Sequence, residues 1–182
     1  MVDNFLDNLN LSWTLFLDRD GVINRRIING YVATKEEMQL LPFVKEAFAI
    51  FHSYFSRIFI VTNQQGIGKG LMTEEDLQIV HHQMLTLLDT PVTQIYYCPS
   101  LASENSLYRK PNIGMALQAK QDYPEIDFSK SIMVGDAETD VLFGKNVGMK
   151  TVFISSKDKE IECDLQCKSL FEFAKMLIKY RK

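Results

Sequence analysis

Residues 15–24 read LFLDRDGVIN, and this stretch decides the fold class. It begins as an apolar run typical of a buried strand and ends in two aspartates and a glycine. Side chains at positions i and i+2 of an extended chain project to the same side, so Asp18 and Asp20 are predicted to face one pocket while Arg19 points away. Gly21 allows the backbone to turn sharply and to approach a neighbour closely. The stretch therefore predicts a strand that delivers an acidic pair to a functional site.

The composition favours one globular domain over residues 1–182. With 46% hydrophobic and 24% charged residues, a chain of this length can bury one sizeable core. A net charge of -3 gives no sign of the basic surface that nucleic acid or an anionic membrane selects. No apolar stretch reaches the roughly 18 to 20 residues of a membrane span. We therefore expect no nucleic-acid partner and no membrane partner.

The N-terminus and the cysteines indicate a cytoplasmic protein. Asp3 and Asp7 lie where a signal peptide would carry positive charge. Cys98, Cys163 and Cys167 are too few and too scattered for a secreted disulfide framework, so we expect free thiols in a reducing compartment. We therefore expect a cytoplasmic protein; the sequence does not indicate the oligomeric state, for which a monomer is the default.

Two hydrophobic periods alternate along the chain. Short runs rich in β-branched or aromatic residues predict strands at 13–17, 58–61, 93–98, 132–134 and 151–154. Helical spacing predicts helices at 44–51, 77–88 after a Thr73 cap, 112–123, 138–146 closed by Gly148, and 170–177. This alternation predicts an α/β fold of Rossmann type, a mostly parallel sheet with helices on both faces. Residues 24–35, with an Asn29-Gly30 turn, are predicted to form a β-hairpin flap.

The polar residues next to the predicted strands indicate where a ligand would bind. In an open α/β sheet, ligands bind outside the carboxyl ends of the strands. The residues expected at those ends are Asp18, Asp20, Thr62, Asn63, Arg109, Lys110, Asp136 and Asp140. Four acids on one rim would repel one another, so they call for a cation. Carboxylate oxygens with no histidine nearby in sequence indicate magnesium rather than zinc.

The same residues describe a site for phosphoryl transfer. The Thr62 hydroxyl and the fixed charge of Lys110 suit the oxygens of a phosphate group. One carboxylate can attack phosphorus, while magnesium and lysine take up charge on the equatorial oxygens. A second carboxylate can handle the proton of the leaving group.

Four ordered motifs carry a close resemblance to a known family. They are DRDG at 18–21, VTNQ at 61–64, RKP at 109–111 and VGDAETD at 134–140. In this order they resemble the haloacid dehalogenase superfamily of phosphatases. The stretches LFLDRDGVIN, VTNQQGIGKG, IYYCP and RKPNIGM resemble, more narrowly, the histidinol-phosphate and D,D-heptose 1,7-bisphosphate phosphatase branch. The resemblance covers about residues 14–154.

The resemblance implies a haloacid dehalogenase fold with a hairpin flap and no large cap domain. It also implies a magnesium-dependent phosphomonoester hydrolase that works through an aspartyl-phosphate. It implies that Asp18 is the nucleophile and that Asp20 is the general acid and base. Thr62, Asn63 and Lys110 would lie near the phosphate. Asp18, the Asp20 carbonyl and Asp136 would surround magnesium, and Asp140 would orient its neighbours. Arg109 could grip a second anionic group with its planar fork, which suits a sugar bisphosphate such as D,D-heptose 1,7-bisphosphate.

Two departures from that branch are visible. Its zinc loop commonly carries Cys-x-His and a later Cys-x-Cys, but here only Cys98 is in place, and Ser100 replaces the histidine. One ligand cannot hold a structural zinc, so no structural zinc is expected. Ala137 stands where the branch often has a basic residue beside Asp136, which leaves substrate preference open.

Several alternatives remain at this point. The substrate could be histidinol phosphate, another sugar phosphate or a nucleotide. A receiver-type phospho-acceptor would place its acid at the third strand, where Tyr97 and Cys98 stand, and a non-catalytic binding module should lack one of the site acids or the lysine. Residues 66–70 read GIGKG without the Ser or Thr that a P-loop needs after its lysine, so they indicate a rim loop with Lys69 as a candidate substrate contact.

Overall fold

The computed structural model describes residues 5–157 and 160–180. Within these residues, six parallel strands form one sheet in the spatial order β3-β2-β1-β4-β5-β6. The strands are β1 (Trp13–Leu17), β2 (Phe55–Asn63), β3 (Gln94–Cys98), β4 (Ser131–Gly135), β5 (Lys150–Ile154) and β6 (Leu165–Cys167). The helices are α1 (Val44–Phe51), α2 (Glu74–Leu88), α3 (Gly114–Asp122), α4 (Glu138–Val147) and α5 (Leu170–Tyr180).

The predicted α/β architecture is confirmed. All five predicted strands and all five predicted helices are present, and Thr73 caps α2 by accepting a hydrogen bond from the backbone N–H of Asp76. Strand β2 is longer than predicted at both ends, since it also includes residues 55–57 and 62–63. Strand β6 was missed, since three residues are too few to show a period.

Alternation along the central strands divides the core into two layers. Leu15 and Leu17 of β1 pack on the face covered by α1, α2 and α5, while Phe16 packs on the face covered by α3 and α4. Met133 of β4 lies on the same face as Phe16. Because β1 is buried on both faces and lies in the middle of the sheet, the residues that follow it are held at a fixed edge.

The flap is a loop rather than the predicted β-hairpin. Its turn is present: Asn29 has a φ of 59°, and the Gly30 N–H donates to the Ile27 carbonyl over 3.3 Å. The arms of the loop form no strand, and its base is closed where the Arg25 N–H donates to the Gln39 carbonyl over 2.8 Å. The flap is instead held by a side-chain contact with the site, described below. Because the loop closes at Gln39, beyond the predicted end at residue 35, the name flap refers from here on to residues 24–39.

In the described part of the chain, neither long connection at the carboxyl edge contains a cap domain. Residues 18–43 hold turns and isolated bridges, and residues 99–113 hold one short 3-10 helix, Ala102–Glu104. None of the described helices is long and apolar enough to cross a membrane. The extent of the domain, residues 1–182, stays a prediction.

Candidate active site

Neighbouring strands bring the predicted acids together. Strands β1 and β4 are paired, with Leu17 opposite Val134, so the chain leaves both strands side by side. Carboxylate oxygens of Asp18, Asp136 and Asp140 all lie within 4.8 Å of one another. The predicted convergence on one rim is therefore present in the structure, and three of the four acids form one tight group.

Lys110 is the buried counter-charge of this group. Its Nζ lies 2.7 Å from Oδ1 of Asp18, 2.6 Å from Oδ1 of Asp140 and 2.7 Å from the Val61 carbonyl. Burial alone would lower the pKa of Lys110, but attraction by Asp140 and Asp18 outweighs burial and raises it. The ammonium therefore stays charged and ties the nucleophile candidate to α4.

Asn63 holds the segment that carries this lysine. The Lys110 backbone N–H donates to Asn63 Oδ1 over 3.0 Å, and Asn63 Nδ2 donates to the Lys110 carbonyl over 3.1 Å. The amide thus fixes the lysine backbone to the end of β2. Asn63 was predicted to contact phosphate; its side-chain bonds in the structure go to the Lys110 backbone.

Thr62 and Arg109 directly precede Asn63 and Lys110 in the chain. Thr62 is buried, and its Oγ1 accepts a hydrogen bond from Gln64 Nε2 over 2.8 Å. Arg109 is partly buried, and its Nη1 donates to the Ser100 carbonyl over 3.2 Å. Both residues line the same cavity as Asp18.

Burial perturbs the two acids that leave the paired strands. It raises the pKa of Asp18 to about 7, although the charge of Lys110 opposes the shift. It raises the pKa of Asp136 to about 6, although the charge of Arg26 opposes the shift. Both carboxyl groups therefore lie in surroundings that favour neutralisation, either by a proton or by a cation.

Asp20 lies at the same rim in different surroundings. Burial would raise its pKa, but the charge of Arg19 and hydrogen bonds from Asn24, Arg19 and Gln64 outweigh burial and lower it. The prediction for Arg19 was partly wrong. Its side chain stays out of the cavity, but Nη2 turns back to lie 2.8 Å from Asp20 Oδ2 because the buried guanidinium needs a carboxylate partner.

Arg26 was missed by the sequence reasoning. Its half-exposed side chain reaches from the flap into the acidic group, where Nη2 lies 2.7 Å from Oδ1 of Asp136 and 2.9 Å from the Asp20 carbonyl. The same nitrogen lies 4.0 Å from Oδ2 of Asp18. Only the conformation of the flap brings these residues together, so no sequence spacing could have indicated the contact.

Gly21 fulfils its predicted role. Its φ is 92°, in the left-handed region, and a Cβ at this position would lie 2.0 Å from Oδ2 of Asp136. The backbone after the acidic pair can therefore pass close to Asp136 only with glycine at this position.

The site opens into a cavity of about 580 Å³. The cavity extends from the acidic group to the flap and to the rim loop that contains Lys69. Its lining includes Asp18, Asp20, Arg26, Tyr31, Thr62, Asn63, Lys69, Arg109, Lys110 and Asp140. A volume of this size accommodates a small metabolite.

The absence of a structural zinc near Cys98 stays a prediction. Cys98 is buried, with Sγ 3.8 Å from Ser106 Oγ. Among the described residues, the one group of His, Cys, Asp or Glu side chains placed to hold a metal is Asp18, Asp136 and Asp140. We predict that elemental analysis of the purified protein finds no stoichiometric zinc, because one thiolate is insufficient. One zinc per chain, lost in Cys98→Ser, would contradict this prediction.

In this parallel sheet a buried carboxylate follows the first strand, a lysine contacts both that carboxylate and Asp140, and Asp136 lies close by. This arrangement fits a phosphoryl-transfer site of haloacid dehalogenase type. Comparisons with known proteins agree. The sequence model of the polynucleotide kinase 3 phosphatase family matches residues 15–164. The chain therefore belongs to the haloacid dehalogenase superfamily of phosphatases, in the polynucleotide kinase 3 phosphatase family.

The chain is also similar in sequence to individual named enzymes. The D-glycero-alpha-D-manno-heptose-1,7-bisphosphate 7-phosphatase of Mycobacterium bovis is 33% identical over 170 residues, which cover 89% of this chain and 90% of that protein. The D-glycero-beta-D-manno-heptose-1,7-bisphosphate 7-phosphatase of Helicobacter pylori is 32% identical over 175 residues, which cover 93% of this chain and 99% of that protein.

A solved structure supports the fold. The D,D-heptose 1,7-bisphosphate phosphatase from B. bronchiseptica, complexed with magnesium and phosphate, has a TM-score of 0.81 at 24% identity. The match covers 92% of this chain and 98% of that chain. The predicted haloacid dehalogenase fold is thereby confirmed, and the phosphatase activity follows from the named relatives.

Proposed function

We propose that this phosphatase uses magnesium and Asp18 to hydrolyse a small sugar bisphosphate, with D,D-heptose 1,7-bisphosphate as the first candidate. The observation that carries the proposal is the position of Asp18. It is buried at the end of β1, with Oδ1 held 2.7 Å from Lys110 Nζ, and it lines the cavity. A carboxylate held beside a fixed positive charge and open to a cavity can attack phosphorus.

The residues present fit a divalent cation. The guanidinium of Arg26 already lies among the oxygens of Asp136, the Asp20 backbone and Asp18, so this position attracts positive charge. Oxygen ligands of this kind are those that magnesium prefers. When bound, magnesium supplies positive charge to the nucleophile and to the phosphate oxygens. Asp140, hydrogen-bonded to the Ala137 N–H over 3.0 Å, orients Lys110.

Four side chains have distinct roles in the proposed reaction. Asp18 attacks phosphorus, and the bond between phosphorus and the leaving oxygen breaks, which gives an aspartyl-phosphate and an alcohol. Asp20 in its protonated form gives a proton to the leaving oxygen. The carboxylate that remains, which Arg19, Asn24 and Gln64 stabilise, then removes a proton from the water that hydrolyses the aspartyl-phosphate. Thr62 and Lys110 donate to the phosphate oxygens during both steps.

The cavity supports a substrate with a second anionic group. Lys69 and Arg109 also line the cavity without belonging to the acidic group, and the Lys69 Nζ lies 5.5 Å from the centre of the Tyr31 ring. Cations on the rim loop and on the loop before α3 can attract an anion into the cavity. The names of the similar proteins favour a heptose bisphosphate and differ in the anomer.

A panel of phosphate esters with magnesium tests the proposal. It should contain both anomers of D,D-heptose 1,7-bisphosphate, other sugar phosphates, histidinol phosphate, nucleotides and an oligonucleotide 3′-phosphate. We expect kcat/KM for one heptose bisphosphate anomer to exceed every other value by about tenfold or more, the size of one lost charged contact. A best substrate with a single phosphate would contradict the bisphosphate assignment.

Removal of Arg26 is predicted to tighten magnesium binding. In Arg26→Gln the competing positive charge is absent, so calorimetry should show a dissociation constant about threefold to tenfold lower, typical of a partly exposed charged contact. Arg25→Gln is the matched control, because it removes an exposed charge one residue away. The Arg25 side chain does not line the cavity. Equal or weaker binding by Arg26→Gln relative to that control would contradict the assignment.

The proposal includes a cytoplasmic monomer that acts on a small molecule. The three free cysteines support a reducing compartment, and the net charge of -3 supports a small-molecule substrate rather than nucleic acid. The monomer is the default assumption. Sedimentation of the purified chain measures its oligomeric state, and a stable dimer would correct the expectation.

A further inference from the structure

We propose that Arg19 and Gln64 are positioning residues that aim the Asp20 carboxylate and fix its distance from the phosphate-binding Thr62. The inference rests on the role of Asp20 in the proposed function and deepens it. We call Arg19, Asn24 and Gln64 the Asp20 clamp.

The clamp holds the carboxylate from both sides. Arg19 Nη2 lies 3.0 Å from Oδ1 and 2.8 Å from Oδ2 of Asp20, so it spans both oxygens. Asn24 Nδ2 donates to Oδ1 over 2.9 Å, and Gln64 Nε2 donates to Oδ2 over 2.8 Å. Rotation of the carboxylate about its own axis loses at least one of these contacts. Its direction is therefore fixed before substrate arrives.

Packing and hydrogen bonding alone do not explain why a charged side chain is buried at position 19. Its side chain is 0% exposed, and among the described residues Nε and Nη1 have no hydrogen-bond partner. Only Nη2 is paired, with Asp20 and with Gln64 Oε1 over 3.2 Å. An apolar side chain would fill the space without the cost of burying a charge. The gain therefore lies in what Arg19 does to Asp20.

Gln64 connects the proton-transfer group to the phosphate site. Its Nε2 carries two hydrogens, and its two acceptors are Asp20 Oδ2 and Thr62 Oγ1, each at 2.8 Å. Thr62 Oγ1 can still donate its own hydrogen to phosphate. One side-chain amide thus sets the spacing between the bound phosphate and the acid that protonates its leaving oxygen.

Misaiming Asp20 should slow the step that needs a proton and spare the step that does not. A sugar phosphate needs protonation of its leaving oxygen, whereas an aryl phosphate needs little. In Arg19→Met and Gln64→Leu we expect the first-step rate with a sugar phosphate to fall about 100-fold, the cost typical of a misplaced catalytic group. The first step with p-nitrophenyl phosphate should fall less than about tenfold, and KM should change little.

The experiment measures both first-step rates by rapid mixing with magnesium, for the unsubstituted enzyme and each variant, with melting curves as a check on folding. Arg19→Lys should recover part of the sugar-phosphate rate, since it restores the charge without the fork. Gln118→Leu removes the same amide from an exposed position on α3 that does not line the cavity, and it should leave the ratio of the two rates unchanged.

Equal losses with both esters in folded variants would overturn the inference, because a merely structural defect slows both. If Arg19→Met does not fold, Gln64→Leu and Arg19→Lys test the inference through the same ratio of sugar-phosphate to aryl-phosphate rates. If the unsubstituted enzyme hydrolyses neither ester, the proposed function fails instead. An active enzyme whose variants keep the ratio overturns the clamp alone.

Discussion

Asp18→Asn is expected to abolish phosphatase turnover while the fold stays intact. The substitution keeps the size of the side chain, and the amide oxygen can still accept a hydrogen bond from Lys110 Nζ. The amide cannot attack phosphorus usefully, so kcat should fall by about four orders of magnitude or more. Steady-state kinetics at saturating magnesium measure this loss, and circular dichroism checks the fold.

The matched control is Asp89→Asn. Asp89 caps the carboxyl end of α2 in a left-handed conformation, which asparagine tolerates, and it pairs with Lys45 only at 3.7 Å on the surface. This variant loses the same charge and should keep near-normal turnover. Substantial turnover by a folded Asp18→Asn protein would contradict the nucleophile assignment.

Lys110→Met is expected to damage both activity and stability. The substitution leaves Asp18 and Asp140 buried near each other without their counter-charge. Removal of one partner from a buried ion group typically costs about 3–5 kcal/mol. We therefore expect the free energy of unfolding to fall by about that amount and turnover to be lost.

Denaturant unfolding without divalent cations measures the effect. Lys145→Met is the control, because Lys145 is a partly exposed lysine of α4 that pairs with an exposed glutamate, Glu162, at 3.1 Å. Such a pair is worth about 1 kcal/mol or less. If Lys110→Met is no less stable than this control, Lys110 is not the counter-charge that holds the acidic group.

The sheet and the acidic group could be predicted because both follow from chain direction. An apolar run such as 13–17 predicts a buried strand, and carboxyl ends of parallel strands share an edge. Asp18 and Asp136 were therefore expected together although they lie far apart in sequence. Lys110 was placed correctly for the same reason, because its segment follows β3.

The contacts that sequence could not give depend on loop conformation and on side-chain direction. The path of the flap decides that Arg26 meets Asp136, and period 2 in the backbone does not show where a long side chain such as Arg19 bends. Asn63 is the last residue of β2 rather than the residue after it, and its amide bonds to backbone. The predicted hairpin failed because a turn signal does not guarantee paired arms.

Trapping of the covalent intermediate tests the central claim most directly. In Asp20→Asn the aryl phosphate should still phosphorylate the enzyme, but hydrolysis of the aspartyl-phosphate lacks its base. Rapid-quench kinetics with p-nitrophenyl phosphate and magnesium should show a burst followed by slow turnover, and mass spectrometry of the quenched protein should locate phosphate on Asp18. Absence of any phosphoenzyme, with equal slowing of aryl and alkyl phosphates in the first step, would contradict the account.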